Sequence, residues 1–396
     1  MKNKIRVCFI IYADEFAGAE KVVQDEIDYL NAGEFDTTLI TSPLQAVIFR
    51  ERLRKNIKIC EVTIKRSFLK SLIDFKMFIK LYQVLKAGSF DVVSLHNNEA
   101  ALYGGLVCLF LPHSKIFITE HNNLASPEIV MAERYSGVHG HVLKKLHLGS
   151  KLTFLLRHII NIRINGYIAV SAAVKNYIIQ SLKFPGQKVT VLNNGINIDE
   201  FEYGFKKSRS LYQELQLEAD SKLVGVVGRL SRQKGHIFLI EAAPRIIQSF
   251  PKVHFVFAGD GEERVHLEQR IKESGIEAHV TMLGFRKDVH EILKNLDVMV
   301  LPSLWEGLPM TVLECMASGV PVVASGVDGT LDIIDNGTDG FLVPPRDSAA
   351  LADKIIAVLC DADMQRRFSV LGRGKIIKKF DVKERTRQLA AVFSAA

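Results

Sequence analysis

Residues Asp297 to Ser325 read DVMVLPSLWEGLPMTVLECMASGVPVVAS, and the hydrophobic period changes twice within them. DVMVLPS is a short apolar run rich in β-branched residues, the pattern of a buried strand. TVLECMAS has helical spacing, opened by Pro309 and Thr311 and closed by Gly319. VPVVAS is a second buried strand. Strand, loop, helix and strand in that order predict a parallel pair with a crossover helix, the unit of an α/β domain. The loop then sits at the carboxyl end of a strand, where the first-turn N–H groups of a helix are free to hold an anion.

Two glutamates in this unit, Glu306 and Glu314, stand eight residues apart. If both were helical, about 1.5 Å of rise per residue would separate the carboxylates by roughly 12 Å, beyond the about 5 to 9.5 Å of a glycosidase pair. One sugar carbon does not fit between them. The span suits a ligand with hydroxyls at both ends, such as a nucleotide sugar: Glu306 on the sugar, Glu314 on the ribose, the diphosphate at the helix start between. Glutamates at this spacing also occur on solvated helices. The flanks argue for a site, since one charge follows VLPSLW and the other faces a surface of Met, Val and Leu.

The same alternation runs outward from this unit. RVCFII, TTLIT, DVVSL, KIFIT and GYIAV alternate with longer amphipathic segments in the first half, and LVGVVG, HFVFAG, HVTMLG, VMVLPS and VPVVAS do so after Ser221, followed by GFLVPP. Two parallel sheets covered by helices are the expectation. A chain of 396 residues with 48% hydrophobic content has enough material for two cores. The five cysteines, Cys8, Cys60, Cys108, Cys315 and Cys360, form no C-x-x-C pair, which argues against a disulfide framework or zinc site and suits a reducing cytosol. VCFIIY from Val7 is too short for a secretion signal, and the apolar stretch Ala100 to Leu111 falls short of the roughly 20 residues that span a bilayer.

WEGLPMTVLECMASGVPVVAS resembles the E-x7-E signature of retaining GT-B glycosyltransferases. The likeness extends along the chain. Gly228-Arg229-Leu230 with Gln233-Lys234-Gly235 resembles the family's phosphate-binding turn from strand to helix, FAGDGEE from Phe257 its next strand end, VLNNGIN from Val191 its interdomain hinge, and Ala17-Gly18-Ala19-Glu20 its Gly-Gly-Ala-Glu loop. It is strong over residues 220 to 350 and weak over 45 to 165. The resemblance implies an α/β fold of GT-B type, two Rossmann-like domains with parallel sheets facing across an interdomain cleft. Residues 1–198 would bind the acceptor, joined by a returning helix at 380–396, and residues 199–379 the donor.

What the resemblance implies chemically is transfer of a sugar from a nucleoside diphosphate, UDP before GDP, to an acceptor hydroxyl with retention of anomeric configuration. No metal and no cofactor beyond the nucleotide sugar is expected. Arg229 and Lys234 flank a turn before a helix and would stabilise the departing diphosphate. Glu306 would hold sugar hydroxyls and Glu314 the ribose, while backbone amides of the stretch Gly307, Leu308, Pro309, Met310 and Thr311 orient sugar and phosphate. His121, after KIFITE, matches a family histidine near the sugar, and Phe285 with Arg286 a loop that meets the nucleobase. Gly18 lacks a side chain where sugar or phosphate would approach. With no residue read as a nucleophile, the family's front-face substitution applies, the leaving phosphate taking the acceptor proton. The catalytic set is thus Arg229, Lys234, Glu306 and His121.

Charge adds a second reading. Residues 1 to 200 hold 25 Lys+Arg against 18 Asp+Glu, and residues 201 to 396 hold 26 of each, so the first half carries the whole excess of +7. Within it, KRSFLKSLIDFKMFIKLYQVLKA over 65–87 would set Lys65, Arg66, Lys70, Lys76 and Lys80 on one helical arc, with Phe68, Leu72, Phe75, Phe78, Ile79 and Tyr82 opposite. VLKKLHLGSKLTFLLRHIINIRIN from Val142 repeats the mixture. Such helices lie in an anionic membrane interface or simply show a solvated basic face. Together they point to a lipid-linked or lipopolysaccharide-type acceptor, and to a peripheral enzyme on the cytoplasmic face of a bacterial membrane. Nucleic acid is disfavoured, because no aromatic recognition motif accompanies the charge.

Other signatures fail. GDGEER lacks the third glycine of G-x-G-x-x-G, and neither G-x-x-x-x-G-K-[ST] nor G-x-S-x-G is present. A GT-B epimerase or phosphorylase, or a non-catalytic sugar-nucleotide-binding subunit, stays open as an alternative.

Overall fold

A computed structural model describes residues 4–13, 16–63, 75–122, 155–201 and 210–395. The chain forms two compact units, Met1–Asn194 with Val382–Ala396, and Gly195–Asp381.

The first unit is built on a parallel sheet of seven strands: β1 (Ile5–Ile11), β2 (Phe35–Thr41), β3 (Lys58–Glu61), β4 (Val92–His96), β5 (Lys115–Glu120), β6 (Gly166–Ala169) and β7 (Val189–Val191), in the order β3-β2-β1-β4-β5-β6-β7. Central strands such as β4 are buried along their whole length, so they read as continuous apolar runs rather than alternating ones. Connections run outward in opposite directions from β1 and β4. That reversal opens a crevice at the strands' carboxyl ends, the usual ligand position of such sheets. β3 and β7 are absent from the strands read in the sequence. Both are short edge strands, and KICE and VTV are too exposed to show an apolar run.

The helix Val382–Ala395 belongs to this unit. Its Leu389 and Phe393 enter the core, with the Phe393 ring 6.3 Å from Phe9 and 5.6 Å from Phe117. Full burial of each such side chain stabilises by about 1.5–3 kcal/mol.

The second unit is a parallel sheet of six strands: β8 (Lys222–Val227), β9 (Val253–Ala258), β10 (Val280–Gly284), β11 (Val298–Leu301), β12 (Val322–Ser325) and β13 (Phe341–Val343), ordered β10-β9-β8-β11-β12-β13. Here the reversal falls between β8 and β11. The helix predicted within Asp297–Ser325 spans Met310–Ala317, so Glu306 lies in the loop before it and only Glu314 is helical.

Of the first basic stretch, Lys65, Arg66, Phe68, Lys70 and Leu72 lie outside the described residues, as does the Phe75 side chain. In the helix Phe75–Gly88, Met77, Leu81 and Leu85 form the buried stripe and Lys76 and Lys80 are exposed. Ile79, expected opposite the lysines, is 51% exposed beside Lys80. The i, i+4 stripe begun at Met77 puts position 79 about 200° away, on the outer face. Residues 142–154 of the second stretch also lie outside the described residues. Among the described residues no helix is long and apolar enough to cross a membrane.

Candidate active site

The loops after β8 and β11 flank the reversal in the second unit and are fastened backbone to backbone. Leu304 donates its N–H to the Gln233 carbonyl at 2.8 Å, and the Gln233 side-chain amide donates to the Trp305 carbonyl at 2.9 Å. Gly235 starts the helix His236–Ser249 with φ of 60°, and a Cβ there would stand 2.2 Å from the Pro302 carbonyl oxygen. Only glycine permits that approach. Gly329 does the same on the other side, where a Cβ would stand 1.9 Å from the Gly307 carbonyl oxygen.

This fastening brings Lys234 and Glu306 together. Lys234 Nζ donates to Glu306 Oε1 at 2.6 Å, and Ser303 Oγ donates to the same oxygen at 2.6 Å. The Glu306 N–H donates to Asp328 Oδ2 at 3.1 Å, and Glu306 is only 3% exposed. A carboxylate so enclosed is oriented by its partners, and its cation is held in turn. Arg229 behaves differently: it stands exposed, 3.1 Å from an equally exposed Glu262. Such a pair is weak in water and readily exchanged for a phosphate.

The helix Met310–Ala317 follows directly, with Pro309 at its N-cap and no side chain capping it. First-turn N–H groups of a helix have no partner within it, so this end is a partial positive pole beside Glu306 and Lys234. Thr311 Oγ1 is buried and lacks a hydrogen-bond partner among the described residues. Glu314 lies one turn further on and is half-buried. Phe285 and Arg286 follow β10, two strands from β8. Phe285 is 68% exposed, whereas Arg286 is held by Glu214 and by Asp288, each at 2.6 Å. Hydrogen bonds donated to these two carboxylates raise the Arg286 pKa further and commit its guanidinium to shaping the loop.

Gly18 and His121 belong to the first unit. Gly18 begins the helix Gly18–Tyr29 after β1, where the Glu20 carboxylate accepts from the Ala17 N–H at 3.0 Å, half of a capping box. His121 immediately follows β5 and meets His96 at the end of β4, ring nitrogen to ring nitrogen at 3.0 Å. Burial pushes both imidazoles down to about 3, with each ring further lowered by nearby positive charge.

The loop partners Ser303 and Asp328, and His96 behind His121, were not singled out in the sequence. His96 carried a signal, a titratable residue at the carboxyl end of a buried strand. Among the described residues there is no group of three His, Cys, Asp or Glu placed to hold a metal.

Similarity to known proteins divides the chain in much the same way. Residues 208–374 match the family model described as glycosyl transferases group 1, and residues 16–200 match glycosyltransferase family 4. The chain is 26% identical over 396 residues to the UDP-Gal:alpha-D-GlcNAc-diphosphoundecaprenol alpha-1,3-galactosyltransferase of Escherichia coli, covering 99% of this chain and 97% of that one. It is 27% identical over 249 residues to the lipopolysaccharide core biosynthesis mannosyltransferase LpsB of Rhizobium meliloti, covering 61% and 67%. Among solved structures, Anabaena HepE in complex with UDP-glucose superposes with a TM-score of 0.80 at 21% identity, covering 99% of this chain and 100% of that one.

Proposed function

Because the chain belongs to the group 1 glycosyltransferases of GT-B fold, we propose that it moves a sugar from a UDP-sugar to a hydroxyl of a lipid-linked or lipopolysaccharide-type acceptor, with retention of configuration. The observation that carries this reading is the junction of the buried Lys234–Glu306 pair with the uncapped start of the Met310–Ala317 helix, at the reversal of strand order. An anionic diphosphate suits that pole, and sugar hydroxyls suit the fixed carboxylate.

In this account Lys234 and Arg229 face the diphosphate, and Arg229 gives up Glu262 to do so. The loop Gly307–Thr311 orients the phosphates, Glu306 the sugar and Glu314 the ribose. Phe285 offers an exposed ring to the base. The acceptor oxygen forms its bond to the anomeric carbon on the face from which the UDP oxygen leaves, and the acceptor proton passes to that phosphate oxygen. Positioning and charge stabilisation supply the acceleration, without an enzyme nucleophile.

The names of the relatives support UDP as donor nucleotide and a glycolipid acceptor. Exposed apolar side chains in the first unit support work at a membrane surface. Arg163 binds the carbonyls of Leu111, Pro112 and Ser114, tying the 109–114 turn to the segment that carries Ile162; Phe110 is 73% and Ile162 86% exposed. The test is transfer from radiolabelled UDP-sugars to a lipid-linked saccharide extract, with the anomer assigned by NMR. Transfer with retention supports the reading; hydrolysis alone, or inversion, contradicts it.

A further inference from the structure

Behind His121 the first unit buries a chain of polar side chains that the transfer chemistry above does not employ. His121 Nε2 lies 3.0 Å from His96 Nδ1. His96 Nε2 lies 2.9 Å from Ser94 Oγ and 3.4 Å from Glu26 Oε2. Glu26 Oε1 forms an ion pair with Arg385 Nη1 at 2.6 Å. His96 and Glu26 are wholly buried and Arg385 nearly so. The four come from different parts of the fold: β4, the residue after β5, the helix Gly18–Tyr29 and the returning helix Val382–Ala395.

Proton positions follow from what each group is able to donate. Burial keeps both imidazoles neutral at neutral pH, so each ring has one N–H and one lone pair. The Glu26 carboxylate, paired with Arg385, only accepts. The negative carboxylate 3.4 Å away favours an N–H over a lone pair on His96 Nε2, and Ser94 Oγ, at 2.9 Å from the same nitrogen, is placed to accept that proton. His96 Nδ1 is therefore bare, and His121 Nε2 must donate to it. The remaining nitrogen of His121, Nδ1, has no hydrogen and no hydrogen-bond partner among the described residues.

We propose that Arg385, Glu26 and His96 are positioning residues that lock His121 in the tautomer whose Nδ1 accepts a hydrogen bond from a sugar hydroxyl. This rests on the reading that His121 lies beside the sugar. The opposite tautomer would present an N–H and could bind only the hydroxyl's oxygen, reversing the polarity of the contact. Stability does not account for the charged pair: Arg385 Nε and Nη2 are buried without hydrogen-bond partners among the described residues, and buried ion pairs are often replaceable by apolar residues without loss.

The test uses the full-length protein labelled with 15N-histidine, with long-range proton–nitrogen correlations assigned through His96→Phe and His121→Phe. Wild type is expected to show the Nε2–H tautomer at both histidines. The double variant Glu26→Leu/Arg385→Met replaces the pair by apolar side chains. There His121 should become a mixture of tautomers, kcat for UDP release from UDP-glucose, UDP-galactose or UDP-N-acetylglucosamine should fall about tenfold, and UDP affinity should stay unchanged. An Nδ1–H tautomer of His121 in wild type, or wild-type tautomer and kcat in the double variant, would overturn the proposal. The tautomer readout needs no ligand, so a protein that binds no UDP counts against the transferase reading and leaves the lock to be judged on its own spectrum.

Discussion

Lys234 Nζ and Glu306 Oε1 lie 2.6 Å apart across 72 residues of sequence, and the pair is largely shielded from water. It joins the loops after β8 and β11, so it has both a structural and a chemical consequence.

Lys234→Met removes the cation and leaves the Glu306 carboxylate buried, with Ser303 as its remaining side-chain donor among the described residues. Breaking a buried pair from one side typically costs about 3–5 kcal/mol. Urea unfolding of the variant should show a loss near the lower end of that range, since Lys234 retains some exposure. kcat should fall about 10²–10³-fold if the ammonium also stabilises the departing diphosphate.

Gly235→Ala places a Cβ 2.2 Å from the Pro302 carbonyl oxygen at a φ of 60°. The backbone must shift to admit it, at a cost of at least about 1 kcal/mol. A lowered melting temperature together with weakened UDP binding is expected. Gly275→Ala is the control: its φ of 66° is similar but no atom lies within 4 Å, so only the first cost remains.

His96 and His121 have folded-state pKa values depressed from 6.5 to about 3. The unfolded chain therefore binds more protons than the folded one between those limits. Their contribution to stability is complete above about pH 6.5 and is lost as pH falls toward 3. Charged neighbours Glu26 and Arg385 bear on the same rings. Melting temperature should drop between pH 7 and pH 4.5, and His96→Asn should show a shallower fall over that interval.

Much of the fold was legible because it rests on local patterns. The central strands are continuous apolar runs, and the Asp297–Ser325 unit carries its own helix start and stop. What escaped was set by tertiary context. KICE and VTV become strands only because β2 and β6 offer them an edge. In KVVQDEIDYL, Glu26 looks like part of a solvated helix face, and nothing local shows that Arg385 will bury it. Ser303 and Asp328 were passed over for the same reason, as small polar loop residues whose partners are fixed by folding. Glu306 and Lys234 were both singled out, yet their contact was not, because it depends on how two loops pack.

Titration of UDP into the metal-free protein, followed by calorimetry and by the shift in melting temperature, reports on the donor site itself. Glu314 is expected to hold the ribose by charge-assisted hydrogen bonds worth about 1.5–3 kcal/mol, so Glu314→Ala should weaken UDP about 10- to 150-fold. GDP, CMP, ADP and NAD should bind wild type more weakly than UDP. Equal UDP affinity in wild type and Glu314→Ala, or no UDP binding at all, would contradict the donor site described for the second unit.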